Sequence, residues 1–461
     1  MLTPWKTALQ RLRGNRYLPL ALLLVVYSQM GPAVGLLIGW IPALLIFVVL
    51  VAAFPALFLF YRRARKQIEK LAQTADRLLT AGKMPEALRE CDAAIQILKK
   101  RKLPASDDAA LLLVIRSIAL QKLGKKDEAL SSAAQAFACM KVVKKAGAQV
   151  AIFDQFGIMM LETGHERQAI PILEAAVGLG QRLESDAMRT AGRLERVGLA
   201  YLRVGVHANS VAAFGKAVDI ITREKGADAL GLTNIYVNLG NGYKRMEKLE
   251  DAERCYREAL RIYQANSITD AEKLSLVIIN IGVVCSETNR HEEAERLYQQ
   301  VLSMRLDTLG RNHWRVGNTY NNLANCRRRA RDFEGAKKYA QQAIEILEQR
   351  PQSLCNAVGT LSMIFEDEGK LEEALSAAAR ARAIQQNVSS PDLADLATRF
   401  DREGLLASRC GDEERANDCR ASALKIRQAL ATAPSAERDL TNIQAALETL
   451  QQNPAVLSGT V

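Results

Sequence analysis

Apolar side chains recur every three or four positions from about residue 68 to about residue 432. That period turns one face of an α-helix toward a core. A longer rhythm overlies it. An alanine is followed four residues later by a medium or large side chain and usually, seven later, by another small one. The first alanines are Ala87, Ala129, Ala169, Ala252, Ala294, Ala336, Ala374 and Ala416, with Ser210 in the fourth place. Successive spacings are 42, 40, 41, 42, 42, 42, 38 and 42. Twelve positions before each marker stands a small residue: Ala75, Ser117, Gly157, Gly198, Gly240, Gly282, Ala324, Ser362 and Gly404. The spacing predicts antiparallel helix pairs, each unable to bury its apolar face alone and therefore stacked. In each pair the small residue of the first helix admits the alanine of the second. Glycines at 82, 124, 164, 205, 369 and 411 supply the left-handed turn that ends the first helix. Acid pairs such as Asp127-Glu128, Glu292-Glu293 and Glu413-Glu414 open the second, where the helix dipole favours them. Arg116 and Ser362, at core slots of the second and eighth copies, predict looser packing there.

Residues 17–61 break the rhythm, with no charged side chain between Tyr17 and Tyr61. One straight helix of that length would reach about 68 Å, against a hydrocarbon core of roughly 30 Å. Two spans, 17–39 and 42–61, fit better, with Trp40 at the far interface. Basic residues flank both ends, which places both on the cytoplasmic side. The expectation is an integral membrane protein, multi-pass or single-pass, that contacts lipid through residues 17–61 and faces its repeats to the cytoplasm.

Charge sharpens this picture. The chain carries a formal +11. Lys6, Arg11, Arg13, Arg16, Arg62, Arg63, Arg65, Lys66 and Lys70 face only Glu69 within residues 1–70, so most of the excess flanks the apolar stretch. The remainder is near balance, and no nucleic-acid partner is expected. Eight scattered cysteines without a CxxC pair read as buried small hydrophobes in a reducing compartment. Four separated histidines and the lack of an HExxH leave no metal site, and no cofactor is expected. Phosphate-binding glycine loops and nucleophile elbows are likewise missing, so the chain is read as non-enzymatic.

Leu194, Val197-Gly198-Leu199-Ala200-Tyr201, Gly205, Phe214 and Ala217 resemble the consensus of the tetratricopeptide repeat (TPR) family. So do Tyr236, Leu239-Gly240, Tyr243, Ala252, Tyr256 and Ala259. The 42-residue period, with Leu309-Gly310, His313 and Asn321-Asn322-Leu323-Ala324, is similar to the longer repeats of kinesin light chain. The resemblance implies an all-α fold: a right-handed TPR superhelix (α-solenoid) of about nine helix-turn-helix repeats, here behind an N-terminal transmembrane hairpin. The expected organisation is a basic flank at 1–16, membrane segments at 17–61, the repeat array at 62–432, and a capping helix with a polar tail at 433–461.

Specificity in such an array belongs on the concave face of the first helices. Asn238, Asn280 and Asn322 share one slot at 42-residue spacing; Asn241 and Asn325 form a second row, and Asn234, Asn318 and Asn321 extend the set. An amide offers both donor and acceptor to the backbone of an extended ligand. By resemblance to kinesin light chain, such asparagines imply peptide binding. Lys244, Arg245, Arg328 and Arg329 beside them favour an acidic segment. The competing reading is that the asparagines only bond neighbouring helices together. Tyr201, Phe214, Tyr236, Tyr243, Tyr256 and Tyr298 read as packing residues. Val237 and Asn318 stand where a chaperone-tail carboxylate clamp would require lysines. The expected function is a membrane-anchored TPR adaptor that binds a peptide segment or partner protein in its groove. The alternative is a structural subunit of a membrane or envelope assembly that uses its outer faces and hairpin.

Overall fold

The computed structural model describes residues 40–101, 103–183, 186–388 and 392–432, with side chains from Phe58 to Ala429 apart from Leu183. The described residues form an all-α repeat solenoid of eighteen α-helices with no strand among them. The chain divides into two compact units, 1–125 and 126–461.

Unit 1 holds α1 (Trp40–Thr80), α2 (Met84–Lys100) and α3 (Asp107–Lys122). Gly82, at φ +76°, makes the turn between α1 and α2. The Ser106 hydroxyl caps α3 by accepting from the Ala109 N–H at 3.3 Å. Ile68, Ala75, Cys91, Ala94 and Leu112 close a common core. Arg116, expected to loosen its copy, instead donates from Nε to Asp92 at 2.7 Å.

Unit 2 runs through α4 (Lys126–Ala138), α5 (Ala146–Glu162), α6 (Glu166–Leu183), α7 (Ala187–Val204), α8 (His207–Lys225), α9 (Leu232–Arg245) and α10 (Leu249–Ala265). It continues through α11 (Ala271–Glu287), α12 (His291–Leu309), α13 (Trp314–Arg329), α14 (Phe333–Leu347), α15 (Pro351–Asp367), α16 (Leu371–Gln386), α17 (Leu393–Arg409) and α18 (Glu413–Thr432). From α5 onward each helix packs on its neighbours in the chain, and α13 also touches α15. Carboxylates of Asp186, Asp270 and Asp392 cap α7, α11 and α17.

The small residue of each pair works with the fourth residue after the alanine marker. A Cβ built on Gly198 would lie 2.8 Å from the Phe214 ring, and one on Gly282 2.7 Å from that of Tyr298. Phe214, Tyr256 and Tyr298 are buried as expected, while Tyr201, Tyr236 and Tyr243 are half-buried. Ser362 does not loosen its copy: it is fully buried and donates to the Ala374 carbonyl at 2.8 Å.

The membrane expectation is corrected here. Among the described residues no helix is long and apolar enough to cross a membrane, so the integral localisation and its cytoplasmic orientation are withdrawn. The described side chains of α1 give one apolar turn, Phe58–Tyr61, followed by Arg62, Arg63, Arg65 and Lys66. Each such cation costs roughly 3 kcal/mol or more at a bilayer centre. The flank 1–16, the first expected span 17–39 and the capping segment 433–461 lie outside the described residues, whereas 42–57 are helical within α1. Six of the eight cysteines are buried; Cys139 is half-buried and Cys410 is exposed.

Candidate functional site

The asparagines lie on alternate helices, α9, α11 and α13, and the packing of each pair fixes their position. Asn238, Asn280 and Asn322 each stand two residues before the buried small residue, Gly240, Gly282 and Ala324. That neighbour is held against the next helix, which sets the height of the amide on its own helix. All three amides are half-buried, and none makes a side-chain hydrogen bond with another described residue.

The second row behaves differently. Asn241 Oδ1 accepts from the Tyr256 hydroxyl at 2.8 Å. Asn325 Nδ2 donates to Thr360 Oγ1 on α15 at 3.0 Å and to the Asn321 carbonyl at 3.3 Å. These two asparagines bond helices together, as the competing reading held, and the first row does not. Asn234 is exposed and Asn318 half-buried. The Oδ1 of Asn321 is buried without a hydrogen-bond partner. On α11 the positions equivalent to Asn234 and Asn241 are Leu276 and Val283, and Leu276 is 57% exposed. Reading the same 42-residue register would have singled out Leu276, the one large apolar side chain that this slot presents to solvent.

The basic residues also separate. Arg328 pairs with Asp367 of α15, so its charge is spent within the array. Lys244, Arg245 and Arg329 make no ion pair with a described residue, and Arg245 and Arg329 are exposed. Away from this face, carboxylates and guanidiniums form ladders across successive pairs. Arg290 and Arg257 both bind Glu253 and Glu293. The ligand atoms of Glu253, Cys285 and Glu293 come within 4.8 Å of one another, a spacing open to a metal. Two arginines already hold these carboxylates, and burial pushes the Cys285 thiol up to about 11, keeping it protonated near neutrality. The hydrogen bond from Arg290, then that from Arg257, holds the Glu253 carboxyl below its ordinary value. The cluster therefore reads as a charge-balanced tie between repeats.

A tetratricopeptide repeat model matches residues 189–265 and 273–349, so TPR repeats are present over the helices that carry the asparagines. No curated protein matches the chain. Among solved structures, the apo form of RapI is 13% identical, covers 79% of this chain and 98% of its own, and superposes with a TM-score of 0.56. The apo form of the quorum sensor NprR from B. thuringiensis is 11% identical, with coverages of 79% and 98% and a TM-score of 0.55. Nearly identical kinesin light chain-type repeats from Podosopora anserina share 16% identity over 43% of this chain and 95% of theirs. Their TM-score is 0.38. The first two likenesses show the fold alone.

Proposed function

We propose that this chain is a scaffold whose α9, α11 and α13 face binds an extended segment of a partner protein. The observation that carries this reading is the row Asn238, Asn280 and Asn322: equivalent slots, half-buried amides, and no hydrogen bond spent on another described residue. A half-buried amide facing water can exchange that water for a peptide backbone at little cost. Regular spacing then repeats the exchange along an extended ligand. Lys244, Arg245 and Arg329, without partners among the described residues, favour carboxylates in the bound segment, and Leu276 offers one apolar contact between them. Rap-type and quorum-sensor folds of this shape are consistent with such a scaffold.

The test is a display selection of random peptides on the purified chain, followed by binding isotherms of enriched peptides. The triple variant Asn238→Ala, Asn280→Ala, Asn322→Ala should weaken binding about a hundredfold, on the scale of two or three lost hydrogen bonds, with an unchanged circular-dichroism spectrum. Equal affinity for the triple variant would reject this face.

A further inference from the structure

Helix α7 stands one pair before the asparagine helices and touches α9. The 42-residue register carries the asparagine face back onto it. Glu195 occupies the slot of Val237, Ile279 and Asn321, one residue before the asparagine row, and Gly192 occupies the slot of Asn234, Leu276 and Asn318. Met188, Gly192, Glu195 and Leu199 follow one another at steps of four, three and four residues, which places them on one side of α7. None of the four is buried: Met188 is exposed, and Gly192, Glu195 and Leu199 are half-buried. A Cβ built on Gly192 would meet nothing within 4 Å, so an open notch lies one turn before the carboxylate. The Glu195 carboxylate makes no hydrogen bond or ion pair with a described residue. Its neighbour Arg196 lies 3.7 Å from Asp154 of α5, which Arg193 also holds at 2.8 Å. Burial pushes the Glu195 carboxyl above its ordinary value, against the opposing charge of Arg196. A half-buried carboxylate without a donor is destabilised, and a cation that reaches it relieves the cost.

Taking the asparagine face as the binding face, we propose that this side of α7 is a subsite for a lysine or arginine side chain of the bound segment. The surroundings select a cation with a long stem. A divalent metal calls for several oxygen ligands, and Asp154, in the same slot of α5, is already held by Arg193 and Arg196. The stem of a lysine or arginine is apolar, and Met188 and Leu199 flank the notch at Gly192 to receive it. A terminal amine has no such stem and leaves that apolar surface uncovered. The rest of the face carries the opposite charge, with Lys244 and Arg245 on α9 and Arg329 on α13 without partners among the described residues. The segment is therefore bipolar, with its cation against α7 and its carboxylates against α9 and α13. Reversed, it would set like charges together at both ends, so the subsite also fixes the direction of binding.

The experiment selects displayed random peptides against the full chain and against Glu195→Gln. Peptides enriched on the unmodified chain should carry lysine or arginine toward one end and carboxylates toward the other. On Glu195→Gln the cation should lose its enrichment. In binding isotherms, replacing that cation by glutamine should weaken an enriched peptide about tenfold on the unmodified chain and hardly at all on Glu195→Gln, the mark of a direct pair. Acetylating the peptide's amino terminus should leave its affinity unchanged. Gly192→Met fills the notch, keeps the carboxylate and should weaken the same peptides severalfold; it keeps the test valid if Glu195→Gln misfolds. Peptides that weaken on the triple asparagine variant, yet carry no such cation or keep full affinity on both α7 variants, would overturn the subsite and leave the asparagine face standing. Loss of affinity on acetylation, in place of loss on the side-chain replacement, would assign Glu195 to a terminal amine and overturn the lysine or arginine. No enrichment on the unmodified chain would reject the face and the subsite together.

Discussion

Gly240 and Tyr256 face each other across the α9–α10 pair so closely that a Cβ on the glycine would lie 2.6 Å from Tyr256 Cε1. The relationship repeats with graded volumes. Gly198 meets Phe214 and Gly282 meets Tyr298, while the equivalent positions Ala324 and Ala340 are both small and fully buried. Where the second side chain is an aromatic ring the first is reduced to hydrogen. Gly240→Ala should therefore destabilise the array by about 1–3 kcal/mol, the usual cost of overpacking a filled core. Urea unfolding followed by circular dichroism reads it.

The turn that ends the first helix of each pair takes a left-handed residue. It is glycine at Gly205 and Gly369, yet Glu247, Asn289 and Arg331 hold φ of 61° in the copies between. A side chain in that region costs about 1 kcal/mol, less for asparagine. Glu247→Gly and Arg331→Gly should each raise the unfolding midpoint, by about 0.5 kcal/mol once the added freedom of the unfolded chain is subtracted. Asn289→Gly should change it less.

The two asparagine rows should part experimentally. Asn241→Ala and Asn325→Ala each remove a bond between helices and should cost about 1–2 kcal/mol of stability. Asn238→Ala, Asn280→Ala and Asn322→Ala should each stay within about 0.5 kcal/mol of the unmodified chain, as surface substitutions do. Thermal melts of the five single variants decide this. A large loss for any of the three would mean that amide is structural.

Glu403 is 2% exposed and lies between two arginines. It accepts from Arg382 Nε at 2.7 Å and from Arg415 Nη2 at 2.8 Å. Glu403→Gln leaves two guanidiniums without their counter-charge and should cost about 3–5 kcal/mol. The exposed pair Arg427 and Asp401 on the same helices offers the contrast. There, Asp401→Asn should cost less than about 1 kcal/mol. Paired denaturation curves provide the measurement.

Acid should loosen the central ladder. Hydrogen bonds from Arg290 and then Arg257 hold the Glu253 carboxyl below its ordinary value. Its ionised form thus stabilises the fold fully above the unfolded value, near 4.3, and the contribution fades as pH falls through the lower, folded value. Glu368, held down by Lys370 and Lys337, acts in the same sense. Glu253→Gln should lower stability at neutral pH and flatten the decline between about pH 5 and pH 3. A stability profile against pH for both proteins checks the sign.

Much of the fold was legible along the chain because its rules are local. The 42-residue phase, the helix pairs and the small residues that admit Phe214, Tyr256 and Tyr298 all follow from side-chain size at fixed helical spacing. The left-handed turns at Glu247, Asn289 and Arg331 escaped notice because only glycine advertises that conformation in a sequence. Of the flanking charges that suggested a membrane hairpin, Arg62, Arg63, Arg65 and Lys66 stand exposed along α1.

The sequence by itself determined that this chain stacks helix pairs and that asparagines recur on one slot of three of them. Only the tertiary structure decided which amides are already spent. Asn325 reaches Thr360 and Arg328 reaches Asp367 across more than thirty intervening residues, whereas Asn238, Asn280 and Asn322 bond to no described residue. Periodicity fixes which side of a helix a residue occupies. Whether it finds a partner there depends on the separation and tilt of successive helices, which the packed cores between them set.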